Sequence, residues 1–533
     1  MHLTRVKIEN HSRLQDLELE VRRHMVLIGP NDVGKSSLLR CLDLLLGAST
    51  AQLYNQVTLE DLREPEQPFI VEADLCDFSD DEQVLFADEI TVDPTGKARR
   101  ILTIRLEASF DDNETLSISR AVPNKSIGRQ ISRDQLQAIG WTLLSANDRA
   151  RNMSDNRHSL LDDVLAGVEL GDEQTAFDSL VETISCHLQG SNVLSNLRDE
   201  MSEQLSAALP EKIVKDDLSF IPGVAADNNF LNDVRLQVKE KSISEQSDGK
   251  RAIYAIALYD LISNRANIVS IDEPEIHLHP SSQRSLARLL KNGKNQKIIA
   301  THSPDIVSAF DPELIVSVRE GGTVVQPRIR ILDDDQRAMF RWWVRNKLEP
   351  LTARHVVAVE GTADRIVLER VAELTGHDLD RLGVSVIETE GAGDMGVIWK
   401  LFGKDGFKVP ISLLIDQDAV NKTENSTGVK ECDFSKNSIW ISKKDLEEEY
   451  VNAFDARRLW EAMKRGDSFS KNEIVNVKCN GGDDTPTEDD IADFLRRKKY
   501  KARGAIMAVT LLDETTASRI KSIMDLLNDI EGA

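Results

Sequence analysis

Two sets of residues in this sequence have the types and spacing for phosphate chemistry. The first is acidic. Glu360 closes the apolar run 356–359, and Asp364 follows four residues later in the first turn of an expected helix. A second apolar run, 411–415, ends in Asp416-Gln417-Asp418. Residues two apart at a strand end point the same way, so Asp416 and Asp418 can share a face. Four carboxylates at the carboxyl ends of parallel strands repel each other unless a divalent cation neutralises them. The second set is Gly29-Pro30-Asn31-Asp32-Val33-Gly34-Lys35-Ser36, a GxxxxGK[ST] loop between an apolar strand and a helix. Its amides can cradle phosphates, Lys35 can reach the β- and γ-phosphates, and the Ser36 hydroxyl can hold Mg²⁺. Asn31, Gly34 and Ser37 belong to the same nucleotide-binding set.

Other residues fit around the nucleotide loop. The apolar run 268–271 ends in Asp272-Glu273. Asp272 suits Mg²⁺ held through water, and Glu273 suits the polarisation of an attacking water. His302, at the end of the run KIIATHS, can place an imidazole on the γ-phosphate. Ser247 and Gly249 open an expected helix and form a second anion site. His277 and His279 flank Leu278 and read as structural.

These residues need elements to position them. At 533 residues the chain is too long for a single core. With 41% hydrophobic and 29% charged residues it reads as a globular, soluble, cytoplasmic chain. No apolar run approaches the roughly 18–20 residues that span a bilayer, so no membrane partner is expected. The N-terminus has no apolar signal region. The five cysteines form no CxxC pair, which argues against zinc and against a disulfide framework. A net charge of −24 argues against a passive DNA-coating protein but leaves room for an enzyme with a local basic groove.

Strand-like alternation fills residues 1–28 and 68–122, with a helix over 36–46 between them. Residues 130–215 change to helical spacing and show no sustained heptads. Alternating strands and helices run from about 230 to 325, and a linking helix covers 337–347. A βαβαβ pattern starts at His355 and carries to about 450, and the remainder is helical and charged.

The Gly29–Ser36 loop, Ser247-Asp248-Gly249, the run Asp272-Glu273-Pro274-Glu275-Ile276-His277-Leu278-His279-Pro280 and His302 resemble an ABC-type ATPase head. They match Walker A, a degenerate signature, Walker B with D-loop, and the switch histidine. The variant is similar to SMC and recombination-repair heads. The resemblance implies ATP held between two heads, with Ser247 and Gly249 of one facing Lys35 of the other. The family's Q-loop glutamine stays unassigned between Gln67, Gln83 and others. An acid in the signature position implies slow or conditional turnover.

The second half resembles the Toprim fold of topoisomerases, primases and some nucleases. Glu360 and Asp364 match its first acids, Gly391-Ala392-Gly393-Asp394 its glycine turn, and Asp416-Gln417-Asp418 its Asp-x-Asp. After the strand-like run 438–442, Asp445-Leu446-Glu447 offers Glu447 as a fifth metal ligand or as a helix-start acid. Five carboxylates suffice for two ions roughly 3.5–4 Å apart. Arg496-Arg497-Lys498-Lys499-Tyr500-Lys501-Ala502-Arg503 is the densest basic run. It reads as a surface that tracks a nucleic-acid backbone, as the source of a lysine that stabilises the phosphate, or as a solvated helix face.

An ABC head followed by Toprim resembles the OLD (overcoming lysogenisation defect) nucleases over nearly the whole chain. That resemblance implies an α/β multidomain protein. Its parts are an N-terminal head portion over 1–134, a helical dimerisation insertion over 135–230, a second head portion over 231–348, and a Toprim nuclease domain with C-terminal helices over 349–533. It implies a metal-dependent DNA endonuclease with ATPase activity, acting in phage defence or DNA processing. ATP with one Mg²⁺ and two further Mg²⁺ or Mn²⁺ ions are the expected cofactors. DNA, a homodimer or higher homo-oligomer, and a companion defence protein are the expected partners. Lys501, before Ala502 and Arg503, takes the family's catalytic lysine position; the expected catalytic residues are Glu360 and Lys501 in the Toprim half, and Glu273 and His302 in the head. The alternatives are a topoisomerase- or primase-like enzyme, which needs a tyrosine nucleophile, and a non-nuclease SMC-like ATPase.

Overall fold

The computed structural model describes residues 1–92, 99–111, 115–123, 129–144, 183, 186–209, 212–222, 234–239, 241–242, 247, 249–250, 253–254, 267–346, 348–389, 394–465, 468–481 and 485–532. They form two compact units, Met1–Gln326 with Phe340–Asn346, and Pro327–Met339 with Lys347–Ala533.

The first unit has two main sheets. The antiparallel sheet runs Leu17–Glu20, His2–Glu9, Phe69–Cys76, Arg100–Phe110, Leu116–Val122, Arg129–Gln130, with Thr91–Val92 paired on Arg100–Phe110. Its strands alternate: His2–Glu9 and Phe69–Cys76 bury Leu3, Val6, Ile8, Val71, Ala73 and Leu75 on one face, as a half-buried sheet requires. The second sheet runs Val324–Val325, Ile315–Val318, Met25–Ile28, Gln296–Ala300, Ile268–Asp272, Trp141–Leu144. All of its pairings are parallel except that of Val324–Val325. Met25–Ile28, Ile315–Val318 and Gln296–Ala300 are buried throughout, the mark of strands covered on both faces. The helix Lys35–Leu46 packs between the sheets. It buries Leu38, Leu39, Leu42, Leu45 and Leu46 in one core with residues of both.

Trp141–Leu144 lies within the stretch expected from sequence as helical insertion. It forms the edge of the parallel sheet, pairing in register with Ile268–Ile271. Trp141 anchors it there, its indole N–H donating to Asp43 at 2.8 Å. Among the described residues of that stretch, the main helix is Asn192–Ala208, capped by Ser191.

The second unit is a four-stranded parallel sheet in the order Val384–Glu388, His355–Val359, Ile411–Asp416, Ile439–Ser442. The βα crossovers put helices Thr362–Leu374 and Met395–Phe402 between its first strands. Helices Leu446–Ala453, Glu488–Leu495, Lys501–Leu511 and Lys521–Gly532 share its core through Tyr450, Phe494, Met507, Ile523 and Leu527. The helical C-terminal region is therefore part of the Toprim unit's core, not an appendage. Among the described residues no helix is long and apolar enough to cross a membrane.

Candidate functional site

In the ATPase unit three neighbouring parallel strands set the geometry. Met25–Ile28, Gln296–Ala300 and Ile268–Asp272 end side by side, placing Gly29, His302 and Asp272 at the carboxyl end of the sheet. Backbone bonds hold that end together: Thr301 N–H donates to Leu27 at 3.0 Å, and Glu273 N–H donates to Ala300 at 2.8 Å. Gly34 has φ +110, and a Cβ there would lie 2.6 Å from Leu14. Glycine is therefore required where the loop turns into the helix. That helix start has no acid in its first turn and no side-chain cap, so its amides face outward as an anion site does.

Lys35 is buried and donates to the carbonyls of Gly29 (3.0 Å) and Pro30 (2.6 Å). Burial lowers its pKa, while the charges of Glu273, Asp272 and Glu275 raise it. Ser12, Arg13, Asn31, Asp32, Val33 and Gly322 are among the residues that line an adjoining open cavity of about 950 Å³.

Glu273 sits at φ +47, a left-handed backbone that is costly for a residue without a short polar side chain. Its carboxylate lies 4.0 Å from His302 Nε2. Burial lowers the His302 pKa and Lys35 adds to that, so the neutral ring is favoured. Glu275, quoted in the motif but given no role from sequence, holds the backbone at His302. One oxygen accepts from the His302 N–H at 2.6 Å and the other from the Thr301 hydroxyl at 2.8 Å. Burial raises the Glu275 pKa. Only the fold could reveal this, because 26 residues and a helix separate the partners. Ser247 is exposed, and Gly249 packs so closely on the His277 carbonyl that a Cβ would lie 2.4 Å from it. His277 (φ +63) and His279, which caps Pro280–Asn292, are structural.

In the Toprim unit, Glu360 and Asp416 end adjacent parallel strands. The Asp416 N–H donates to Glu360 Oε1 at 3.1 Å, which locks the two ends together. Glu360, Asp416 and Asp418 each offer an oxygen within 4.8 Å of the others. An all-carboxylate set of this kind suits a hard divalent cation.

Asp364 and Glu447 face Lys501 instead. Lys501 Nζ stands 3.4 Å from Glu447, 3.6 Å from Asp364 and 3.8 Å from Asp416. Asp364 and Glu447 are 4% and 1% exposed, so neither charge is solvated by water. Asp364 Oδ1 and Glu447 Oε1 are the oxygens turned to Lys501, and neither takes a closer hydrogen bond. The other Asp364 oxygen accepts from the Gly361 N–H at 2.8 Å and fixes the helix start. Glu447 is thus more than a helix-start acid, because it is aimed inward at Lys501. Burial pushes Asp416 up to about 8 and Glu447 up to about 7, with Lys501 opposing both. Burial also raises Glu360 and Asp364. The acids in turn hold the Lys501 ammonium well above its ordinary range. Of the glycine turn, Gly391-Ala392-Gly393 lies outside the described residues, and Asp394 directly precedes Met395–Phe402 without a side-chain cap.

The basic run does not form one charged face. Arg496 binds Asp445, Glu448 and Asp493. Lys499 and Arg503 share Glu473, and Arg503 also lies over Phe469 and Tyr500. Lys501 alone of the run reaches the acids of the site. Of the five tyrosines, Tyr254, Tyr450 and Tyr500 are buried and Tyr259 lies outside the described residues.

Comparison with known proteins agrees with this division. A family profile described as "AAA domain, putative AbiEii toxin, Type IV TA system" matches residues 25–308. A second, "Overcoming lysogenization defect protein-like, TOPRIM domain", matches residues 351–418. The chain is 26% identical over 438 residues to a Thermus scotoductus protein named "OLD nuclease", covering 74% of this chain and 78% of that one. It is 19% identical over 419 residues to "Endonuclease GajA" of Bacillus cereus, covering 73% and 71%. Among solved structures, the C-terminal region of the Burkholderia pseudomallei OLD protein aligns with 34% of this chain and 98% of its own, at 21% identity and a TM-score of 0.28. The first profile spans more than half of the sequence, and the chain therefore belongs to the AAA-domain family, in the OLD arrangement of an ATPase head followed by a C-terminal Toprim domain.

Proposed function

We propose that the protein is an ATP-hydrolysing, divalent-metal-dependent DNA endonuclease. The observation that carries this is the convergence of Glu360, Asp416 and Asp418 at parallel strand ends, beside the Lys501 ammonium. The names of the Thermus and Bacillus relatives support the same reading.

Glu360, Asp416 and Asp418 would hold one Mg²⁺ or Mn²⁺. Asp364 and Glu447, with Asp416 between the two groups, are the donors for a second. When bound, such ions neutralise a backbone phosphate and make water acidic enough to attack it. Lys501 supplies positive charge where the phosphate's charge grows in the transition state. Glu360, through the Asp416 N–H, keeps the two strand ends in register while phosphate and ions enter.

In the head, Lys35 leaves the Gly29 and Pro30 carbonyls for the nucleotide phosphates. Asn31, Gly34, Ser36 and Ser37 complete the loop's contacts, with Ser36 and Asp272 on the nucleotide's Mg²⁺. Glu273 acts as base on the attacking water, and His302 reports the γ-phosphate. Ser247 and Gly249 would close the site from a second copy, which makes a homodimer or higher oligomer the working form. A cytoplasmic role in phage defence, with a companion protein, fits this assembly. Among the described tyrosines Tyr254, Tyr450 and Tyr500 are buried and Tyr54 is exposed, so a tyrosine-dependent topoisomerase would have to draw its nucleophile from Tyr54 among them.

Plasmid cleavage with Mg²⁺ or Mn²⁺ tests the proposal. Wild type should nick or cut, Asp416→Ala should not, and Lys35→Ala should lose ATP turnover. Equal nicking by wild type and Asp416→Ala would sink the site as described.

A further inference from the structure

Glu447 follows a turn with left-handed backbone at Lys444. Lys444 has φ +64, a left-handed backbone that a lysine rarely adopts. The turn Lys443–Asp445 is closed by the Asp445 N–H on the Lys443 carbonyl at 2.9 Å. Directly after it, the Leu446 N–H donates to Asp416 Oδ1 at 3.1 Å, and Glu447 points at Lys501. A shift of this turn would therefore move a donor to Asp416 and a carboxylate together. Such strain persists only where surrounding contacts over-determine it.

Within the turn the Lys443 N–H donates to Glu449 Oε1 at 2.9 Å and Lys444 Nζ lies 2.6 Å from Glu448, and two further contacts tie it to neighbouring elements. The Gln417 N–H donates to the Lys444 carbonyl at 3.2 Å. The second is Arg496. Its Nε donates to Asp445 Oδ2 at 2.7 Å, and its Nη2 lies 3.5 Å from Glu448. The other Asp445 oxygen caps the helix Leu446–Ala453 by accepting from the Glu448 N–H at 2.8 Å. Arg496 also ends Glu488–Leu495, and the Lys501 N–H donates to the carbonyl of the next residue, Arg497, at 3.0 Å. One guanidinium thus ties the element that carries Glu447 to the element that carries Lys501. A planar fork does this where an ammonium would make a single point contact.

We propose that Arg496 is a positioning residue for the metal site, setting the Asp445 turn so that Glu447 and Asp416 meet Lys501 in register. Arg496 pairs with Asp445, Glu448 and Asp493, none of them one of the five cluster acids. The proposal rests on the metal-dependent reading of that cluster. It removes Arg496 from any DNA-tracking surface.

Mn²⁺ titration of the full chain, read by calorimetry and by the loss of free-Mn²⁺ paramagnetic resonance signal, tests it without requiring cleavage. Arg496→Gln should weaken Mn²⁺ binding about 10–100-fold, the usual size of an outer-shell effect. Asp445→Asn should do the same, and the double variant should add little. Arg496→Lys, which keeps the charge on Asp445, should fall between and guards against a misfolded Gln variant. DNA binding without metal should keep its salt dependence in Arg496→Gln. An unchanged Mn²⁺ affinity, with a salt slope lower by about 1, would assign Arg496 to a DNA phosphate and overturn the proposal. Wild-type protein that binds Mn²⁺ but cuts no DNA would sink the nuclease reading alone. Wild-type protein that binds no Mn²⁺ would sink both.

Discussion

Lys501 Nζ lies 3.4 Å from Glu447, a carboxylate that is 1% exposed. A buried acid facing a single ammonium depends on it, since removing one partner of a buried ion pair strands the other.

Lys501→Met should therefore lower the stability of the metal-free protein by roughly 2–4 kcal/mol, somewhat below the full cost of a stranded buried charge because Lys501 is 27% exposed. Adding Mg²⁺ should recover part of the loss in a thermal melt, while cleavage stays down about 10²–10³-fold. The opposite pattern, unchanged stability with lost cleavage, would make the pairing incidental.

Glu275 should matter to ATP turnover although it is not a base. Glu275→Gln can no longer accept from both Thr301 and the His302 N–H, and a displaced His302 should cost about 10²-fold in turnover. Glu273→Gln should lose about 10²–10⁴-fold. Both should still bind ATP, as a fluorescent nucleotide would report. Loss of binding in Glu275→Gln would point to collapse of the strand ends.

Two buried histidines should make the ATPase unit acid-sensitive. His24 Nδ1 accepts from the Lys297 N–H at 3.1 Å, and His11 Nδ1 accepts from the Arg13 N–H at 3.0 Å. Both rings must be neutral at that nitrogen. Burial lowers each to about 4 from 6.5. The unfolded chain then binds more protons between these values, so stability is present above about 6.5 and is lost as pH falls towards 4. Each should contribute about 2 kcal/mol of loss between pH 7 and pH 5. Urea unfolding of wild type and His24→Gln at both pH values should show the smaller change in the variant.

Lys499 and Arg503 should act on folding more than on DNA. Both are engaged by Glu473, and Arg503 is stacked on Phe469 and Tyr500. Arg503→Ala should lower the melting temperature and leave the salt dependence of DNA binding in place. A reduced salt slope would return the residue to a DNA-facing role.

The placement of the candidate residues was legible where it is local. Gly29 to Ser36, Asp272-Glu273 and Asp416-Gln417-Asp418 each carry their meaning within a few residues, because a strand end fixes where the next side chains point. Lys501 was reached by its likeness to the OLD pattern, and its three acids come from segments far apart in sequence. What was not legible depends on tertiary neighbours. Glu275 acts across a strand gap, and Arg496 looked like one more charge in a basic run. Trp141–Leu144 was missed because four residues carry too little periodicity, and parallel pairing with Ile268–Ile271 comes from distant sequence.

The Lys501 bridge also has a consequence in time. Asp364, Asp416 and Glu447 all precede Lys501 in the chain. A chain growing from its N-terminus exposes the whole acid wall before its counter-charge has been synthesised. Until Lys501–Leu511 docks, those carboxylates repel and water separates them. The candidate metal site is thus completed only once the helix that carries Lys501 has been made, and a nascent chain carries the acids before their counter-charge.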